Sequence, residues 1–213
     1  MNQYSALSPM LRVLATGGGF VGFLAAAWLF IVIPVAVAYA KKSKHRGTWW
    51  ALYVLGLHGL LAPAYRALLR RPGGINRSVA RLITFAYQLL TLPTGADIPL
   101  SARLGKSLFM GHTSAIVMHT LSEVGDCCVI PPGLLLGGDA RGGAPKIGKN
   151  VYMGGHVVIV GRVVVGDSAT IGAGAVVTKD VPPFALVVGN PASVVKENYR
   201  RSYHYYAKEA GCE

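Results

Sequence analysis

The chain has 213 residues, a formal net charge of +12 and 52% hydrophobic residues, with 27 Gly and 12 Pro. That glycine and proline content excludes a plain helical bundle, and the length allows one medium domain with an appendage. All nine acidic residues lie at Asp97 or later, whereas ten Lys or Arg precede it. A basic, apolar, acid-free stretch suits an anionic membrane face, where each cation contributes about 1 kcal/mol. Nucleic acid is not expected as a partner, because the charges interleave with long apolar runs and no groove-reading motif occurs. Cys127, Cys128 and Cys212 suggest no disulfide framework, since neighbours in a strand point apart, and a reducing cytosol fits them.

Residues 1–47 form the first segment. Residues 20–40 carry no charge, and 21 residues at about 1.5 Å each span roughly the 30 Å hydrocarbon core. A transmembrane helix is therefore expected. Lys41, Lys42, Lys44 and Arg46 follow it, against Arg12 alone upstream, which places everything after Lys41 on the cytoplasmic side of an inner membrane. Cleavage after Ala38-Tyr39-Ala40 as a signal peptide fits less well, because the apolar run is long and the basic region before it is thin.

Residues 48–95 read as interfacial and amphipathic helices. The stretch 49–65 is apolar but short, interrupted by His58 and Pro63, and suits a helix lying in or re-entering the membrane surface with Trp49 and Trp50 at headgroup level. Pro72-Gly73-Gly74 breaks the chain. Val79, Leu82, Ile83, Ala86 and Leu90 then recur at helical spacing beside Arg77 and Arg81. This predicts an amphipathic helix that packs the other helices or caps the open end of the C-terminal domain.

From residue 96 to 195 a period of six governs the chain. Ile98, Leu104, Met110 and Ile116, then Val124, Ile130 and Leu136, then Ile147, Met153, Ile159, Val165, Ile171 and Val177 are the apolar member of each hexad. The position four later is usually small or β-branched, as at Ala102, Ser114, Thr120, Cys128, Val151 and Ala169. One inward residue per short strand, with glycines at the bends, describes a three-sided parallel β-helix of about four coils. The fold class is thus mainly β, preceded by a helical, membrane-associated region. The step from Leu136 to Ile147 extrudes a loop over residues 138–146. Residues 196–213, with Tyr199, Tyr203, Tyr205 and Tyr206, read as a short packed or interfacial helix.

The stretch from Asp97-Ile98-Pro99 to Leu136-Gly137-Gly138, with Val181-Pro182-Pro183 and Gly189-Asn190-Pro191-Ala192 at its end, resembles the serine O-acetyltransferase branch of the left-handed β-helix acyltransferases. The resemblance implies the left-handed coil, acetyl-CoA as co-substrate without a metal, and a homotrimer or dimer of trimers with sites between subunits. It implies a catalytic pair of Asp97 and His112, fifteen residues apart. The chemistry asks for such a pair: a hydroxyl needs a base as it attacks a thioester, imidazole titrates near neutrality, and a carboxylate on its other nitrogen orients it. The CoA positions that the resemblance implies are Gly138, Gly155 and Ala173, with Lys146 and Lys179 in reach of phosphates.

Acceptor contacts are expected from Asp97, Gly111, Arg141 and His119. Here the chain departs from the family pattern: Gly111, Gly143 and Ala144 stand where an Asp and an Arg-His pair help to hold serine, and the loop is shorter. The Gly-Gly-Ala-Pro loop looks more like acetyltransferases of surface-polysaccharide clusters, so a small or lipid-linked sugar is the expected acceptor and L-serine the alternative. A metal enzyme of the γ-carbonic-anhydrase kind is disfavoured, because His112, His119 and His156 lack its paired histidine spacing. A non-catalytic membrane-tethered trimer is the remaining reading.

Overall fold

The computed structural model describes residues 31–70 and 74–199. Three parallel sheets form the sides of a prism around one apolar core. The second sheet stacks Ala96–Asp97, Ile116–Met118, Leu135–Gly137, Val158–Val160 and Val176–Val177. The third stacks Arg103–Leu104, Glu123–Val124, Lys146–Ile147 and Val164–Val165. The first stacks Phe109–Met110, Val129–Ile130, Tyr152–Met153, Thr170–Ile171 and Leu186–Val188. Coils join through backbone bonds such as Val117 N–H to the Leu134 carbonyl at 2.8 Å.

The hexad residues point inward as their period requires: all are 4% exposed or less except Leu104, which is half-buried against the core. Each fully buried aliphatic side chain contributes about 1.5–3 kcal/mol. Ser114 and Thr120, expected at the small inner position, are exposed instead. The eight-residue step between Ile116 and Val124 shifts the count by two, so Ser122 (1% exposed) takes the inner place of Thr120. A ladder of aspartates fastens the coils: Asp126, Asp167 and Asp180 accept from the backbone N–H of Lys106, Lys149 and Val164 at 2.7–2.8 Å.

Three helices cover the N-terminal end: α1 (Ile33–Lys42), α2 (Trp49–Arg70) and α3 (Gly74–Thr91). Of the expected membrane span, residues 20–30 lie outside the described residues; α1 is its remainder. It packs on α2 through Ala36, Val37 and Ala40, and Gly56 of α2 touches the Ala36 carbonyl so closely that no Cβ would fit. The expectation for α2 is corrected. It is one 22-residue helix running through Pro63, and from Ala51 to His58 it is buried in the protein rather than laid along a membrane surface. Trp49 and Trp50, at its start, are exposed.

Polar ties explain this docking: the Tyr53 hydroxyl donates to the Leu90 carbonyl, His58 Nε2 meets the Pro99 carbonyl at 3.2 Å, and Arg66 donates to the carbonyls of Leu100 and Ala102. Among the described residues α2 is the one helix long and apolar enough to cross a membrane, and 44% of its apolar window is buried. Cys128 is free and buried.

A strand that the sequence pattern does not announce joins the two parts. Arg46–Gly47, read as the basic flank of a membrane helix, pairs in parallel with Phe109–Met110 and begins the first sheet. The buried His45 just before it accepts from the Leu108 N–H at 3.1 Å. Gly47 has φ +143, and a Cβ there would lie 1.7 Å from the Met110 carbonyl oxygen. Gly47→Ala is therefore expected to cost about 2–3 kcal/mol through strain and displacement of this rung. Denaturant unfolding measures it, and an unchanged midpoint would show that the rung contributes nothing.

Candidate active site

His112 lies in the exposed turn between Phe109–Met110 of the first sheet and Ile116–Met118 of the second. Asp97 is in the coil below, in register with Val117, just past the corner where Gly95 lies under Ser114 and Ala115. The two expected catalytic residues thus flank one edge of the prism on adjacent coils. Among the described residues, no hydrogen bond joins them, and neither side chain has another such partner. The direct carboxylate–imidazole contact expected from the sequence is absent from this arrangement, because His112 precedes the corner and Asp97 follows it.

The same edge carries two of the three expected CoA positions. The backbone rungs Gly133 N–H to Ser114 and Gly174 N–H to Gly155 (2.9 Å each) align the turn holding His112 with Gly155 and Ala173. An added Cβ at Gly155 would meet open space, so its backbone is free to lie against a ligand.

Gly138, His119, Arg141, Lys146 and Lys179 belong to the next edge, between the second and third sheets. Gly138 touches the His119 ring, where a Cβ would come within 2.8 Å. His119 Nδ1 accepts from the Leu121 N–H. Lys146 pairs with Glu123 at 3.4 Å, both partly open to solvent, and Lys179 is exposed. One strand width separates the edges, roughly 15–20 Å at 3.3 Å per residue. Within one chain the expected site is therefore split in two.

The extruded loop is built around Asp139. Its Oδ1 accepts from the N–H groups of Arg141 and Gly143 at 2.8 and 2.7 Å. The Gly143 N–H bond, with that from Arg141 and the nearby Arg162 and Arg141 charges, holds its carboxyl below the ordinary range. The cation fixed at the loop base is Arg162, which the sequence reading missed. Its Nη2 donates to the Arg141 carbonyl at 2.9 Å and its Nε faces Asp139 at 3.4 Å. Gly143 makes this possible, since a Cβ there would overlap the Arg162 side chain. Arg141, expected as the replacement cation, is exposed.

A cavity of about 470 Å³ opens between α2, α3 and the outer face of the second sheet. Asp97, His119 and Gly138 line it, together with Tyr65, Thr84, Tyr87 and Gln88 from the helices. His112 and Gly111 are not among its walls. Tyr87 is 2% exposed, and among the described residues its hydroxyl has no hydrogen-bond partner. Burial, then the Asp97 charge, then Tyr53, raise its pKa above the ordinary value. A second cavity, about 600 Å³, lies beside the loop and is basic, with Arg66, Arg103, Lys146 and Arg162 against Glu123. Among the described residues no group of three His, Cys, Asp or Glu is placed to hold a metal ion.

This geometry matches known proteins. Residues 144–179 fit the bacterial transferase hexapeptide (six repeats) model. A serine acetyltransferase of Mycobacterium tuberculosis is 35% identical over 126 residues, 58% of this chain and 55% of that one. A serine acetyltransferase of Helicobacter pylori is 31% identical over 159 residues, covering 72% of this chain and 89% of its own length. The galactoside O-acetyltransferase of Escherichia coli is 34% identical over 119 residues, 50% of this chain and 59% of that one. The soybean serine acetyltransferase apoenzyme superposes with a TM-score of 0.62 at 27% identity, covering 81% of this chain and 73% of that one. The chain belongs to the hexapeptide-repeat acyltransferases, on their serine acetyltransferase-like, left-handed β-helix branch. It spans about half the length of the M. tuberculosis relative.

Proposed function

We propose that the protein transfers an acetyl group from acetyl-CoA to a hydroxyl. The observation that carries this is the edge on which an exposed imidazole, His112, stands in line with the open backbone at Gly155 and with Ala173. His112 takes the acceptor hydroxyl proton as the oxygen attacks the thioester carbonyl. The carbon–sulfur bond then breaks, and the imidazolium returns the proton to the leaving thiolate. Backbone N–H groups of the corner steady the oxyanion. Asp97, apart from His112 and on the cavity wall, is placed for the acceptor as much as for the imidazole. The split between two edges is resolved in a trimer, where the His112 edge of one subunit meets the edge bearing Gly138, Lys146 and Arg162 of the next.

The acceptor has two readings. The relatives named serine acetyltransferase support L-serine better than the sugar expected from the sequence. A sugar hydroxyl keeps support from the galactoside relative and from Gly111 and Gly143, which bring no side-chain charge to an amino-acid zwitterion. Thiol release from acetyl-CoA is the test, with L-serine and with mono- and polymeric saccharides as acceptors. O-acetylserine formation at about 10⁴ M⁻¹s⁻¹ or more establishes serine, since that is the ordinary range of an enzyme on its own substrate. Release stimulated by saccharides alone establishes the second reading. No release with any acceptor would leave a non-catalytic trimer.

A further inference from the structure

Helix α3 has two unlike faces. Ala80 and Tyr87 are buried, and Ile83 and Leu90 are packed on the core. The opposite face carries Val79, Leu82, Phe85 and Leu89, exposed by 40, 66, 59 and 55%, with Leu92 just beyond the helix at 75%. At about 100° per residue, Leu82, Phe85, Leu89 and Leu92 share an arc of roughly 80°. Arg77 and Arg81 are exposed along one border of that arc, and neither has an ion-pair partner among the described residues. The sequence expectation that α3 packs on other helices or caps the β-helix accounts for its inner face only.

We propose that α3 lies in the surface of an anionic bilayer, with Leu82, Phe85 and Leu89 among the acyl chains and Arg77 and Arg81 on headgroup phosphates. Charge decides the occupant. Residues 1–96 contain no carboxylate, so α3 and the helices packed beside it offer these arginines no counter-charge. A second copy docked on the same face would add two more arginines and no carboxylate from its own helices. An anionic leaflet supplies both the phosphates and the apolar layer that the arc needs. The same helix gives Thr84, Tyr87 and Gln88 to the cavity beside Asp97, so that cavity stands next to the bilayer. The proposal does not depend on which hydroxyl is acetylated, nor on catalysis.

The test places the photoreactive residue p-benzoylphenylalanine at Phe85 in the full chain, in phosphatidylcholine vesicles with and without phosphatidylglycerol. Lys149, exposed on the β-helix, carries the probe in a control protein. Irradiation is expected to attach phospholipid at position 85 and not at 149, several-fold more with phosphatidylglycerol. Replacing Arg77 and Arg81 together by Glu is expected to remove that excess. An adduct from position 85 to a second copy or to another segment of the same chain overturns the proposal. Lipid labelling equal at both positions, or indifferent to phosphatidylglycerol, overturns it too.

Discussion

His112→Ala is expected to lower kcat by about 10² to 10⁴, the usual worth of a positioned general base, while acetyl-CoA binding is nearly kept. The reasoning rests on where the imidazole stands. It is exposed in a turn, with no hydrogen bond to another described residue, so its removal leaves no buried group unpaired and should leave the fold alone. The substitution therefore separates chemistry from stability. Single-turnover kinetics with acetyl-CoA and the better acceptor measures it, beside equilibrium binding of CoA. Full activity in the variant would remove His112 from the mechanism. Asp97→Asn adds a finer reading: if the carboxylate orients the imidazole, kcat falls, whereas a residue on the acceptor cavity raises KM instead.

The second large effect concerns acid. His45 and His58 are buried, and desolvation lowers the pKa of each from 6.5 to about 4. Both are neutral in the folded protein at neutral pH. His45 uses Nδ1 as an acceptor for the Leu108 N–H, a role that a proton would abolish. His58 gives its Nε2–H to the Pro99 carbonyl. The unfolded chain binds these protons more readily than the folded one, so stability rises with pH between about 4 and 6.5. Their contribution is complete above pH 6.5 and is lost as the pH falls through 4. Each histidine should cost about 2 kcal/mol by about pH 5 and about 3 kcal/mol by pH 4. Both tie the helices to the β-helix, so that junction should loosen first. Urea unfolding near pH 7.5 and pH 5 decides the matter: equal midpoints would mean that neither imidazole is buried neutral.

The β-helix was legible because its signal is strictly local. One inward side chain every six residues survives without knowledge of any partner; the eight-residue step exchanged Thr120 for Ser122 at the small inner position, and Ser114 departs from it as well. The helices were less legible, since an apolar surface does not say whether lipid or protein covers it. Residues 49–65 thus looked interfacial, although Tyr53, His58 and Arg66 find carbonyls from Leu90 to Ala102. Nothing near Arg46 in sequence indicates that it pairs with Phe109, about sixty residues on. At the site, the edge bearing His112, Gly155 and Ala173 follows from spacing and resemblance. Arg162 and Tyr87 do not, because each matters through a contact with a residue far away in the chain. A glycine at 143, where a side chain would block Arg162, was the available hint.

The last strand changes how the solenoid ends. Ser193–Lys196 folds back antiparallel on Leu186–Val188 and forms the outer strand of the first sheet. Each earlier rung offers the next one a parallel template, which is how a coil of this kind propagates, and by the same token how two solenoids could join end to end. A strand running the other way breaks that template in polarity, and Lys196 adds a charge at its edge. At the opposite end α2 covers the first coil. Among the described residues the prism thus presents no open parallel template at its C-terminal end for another solenoid to extend.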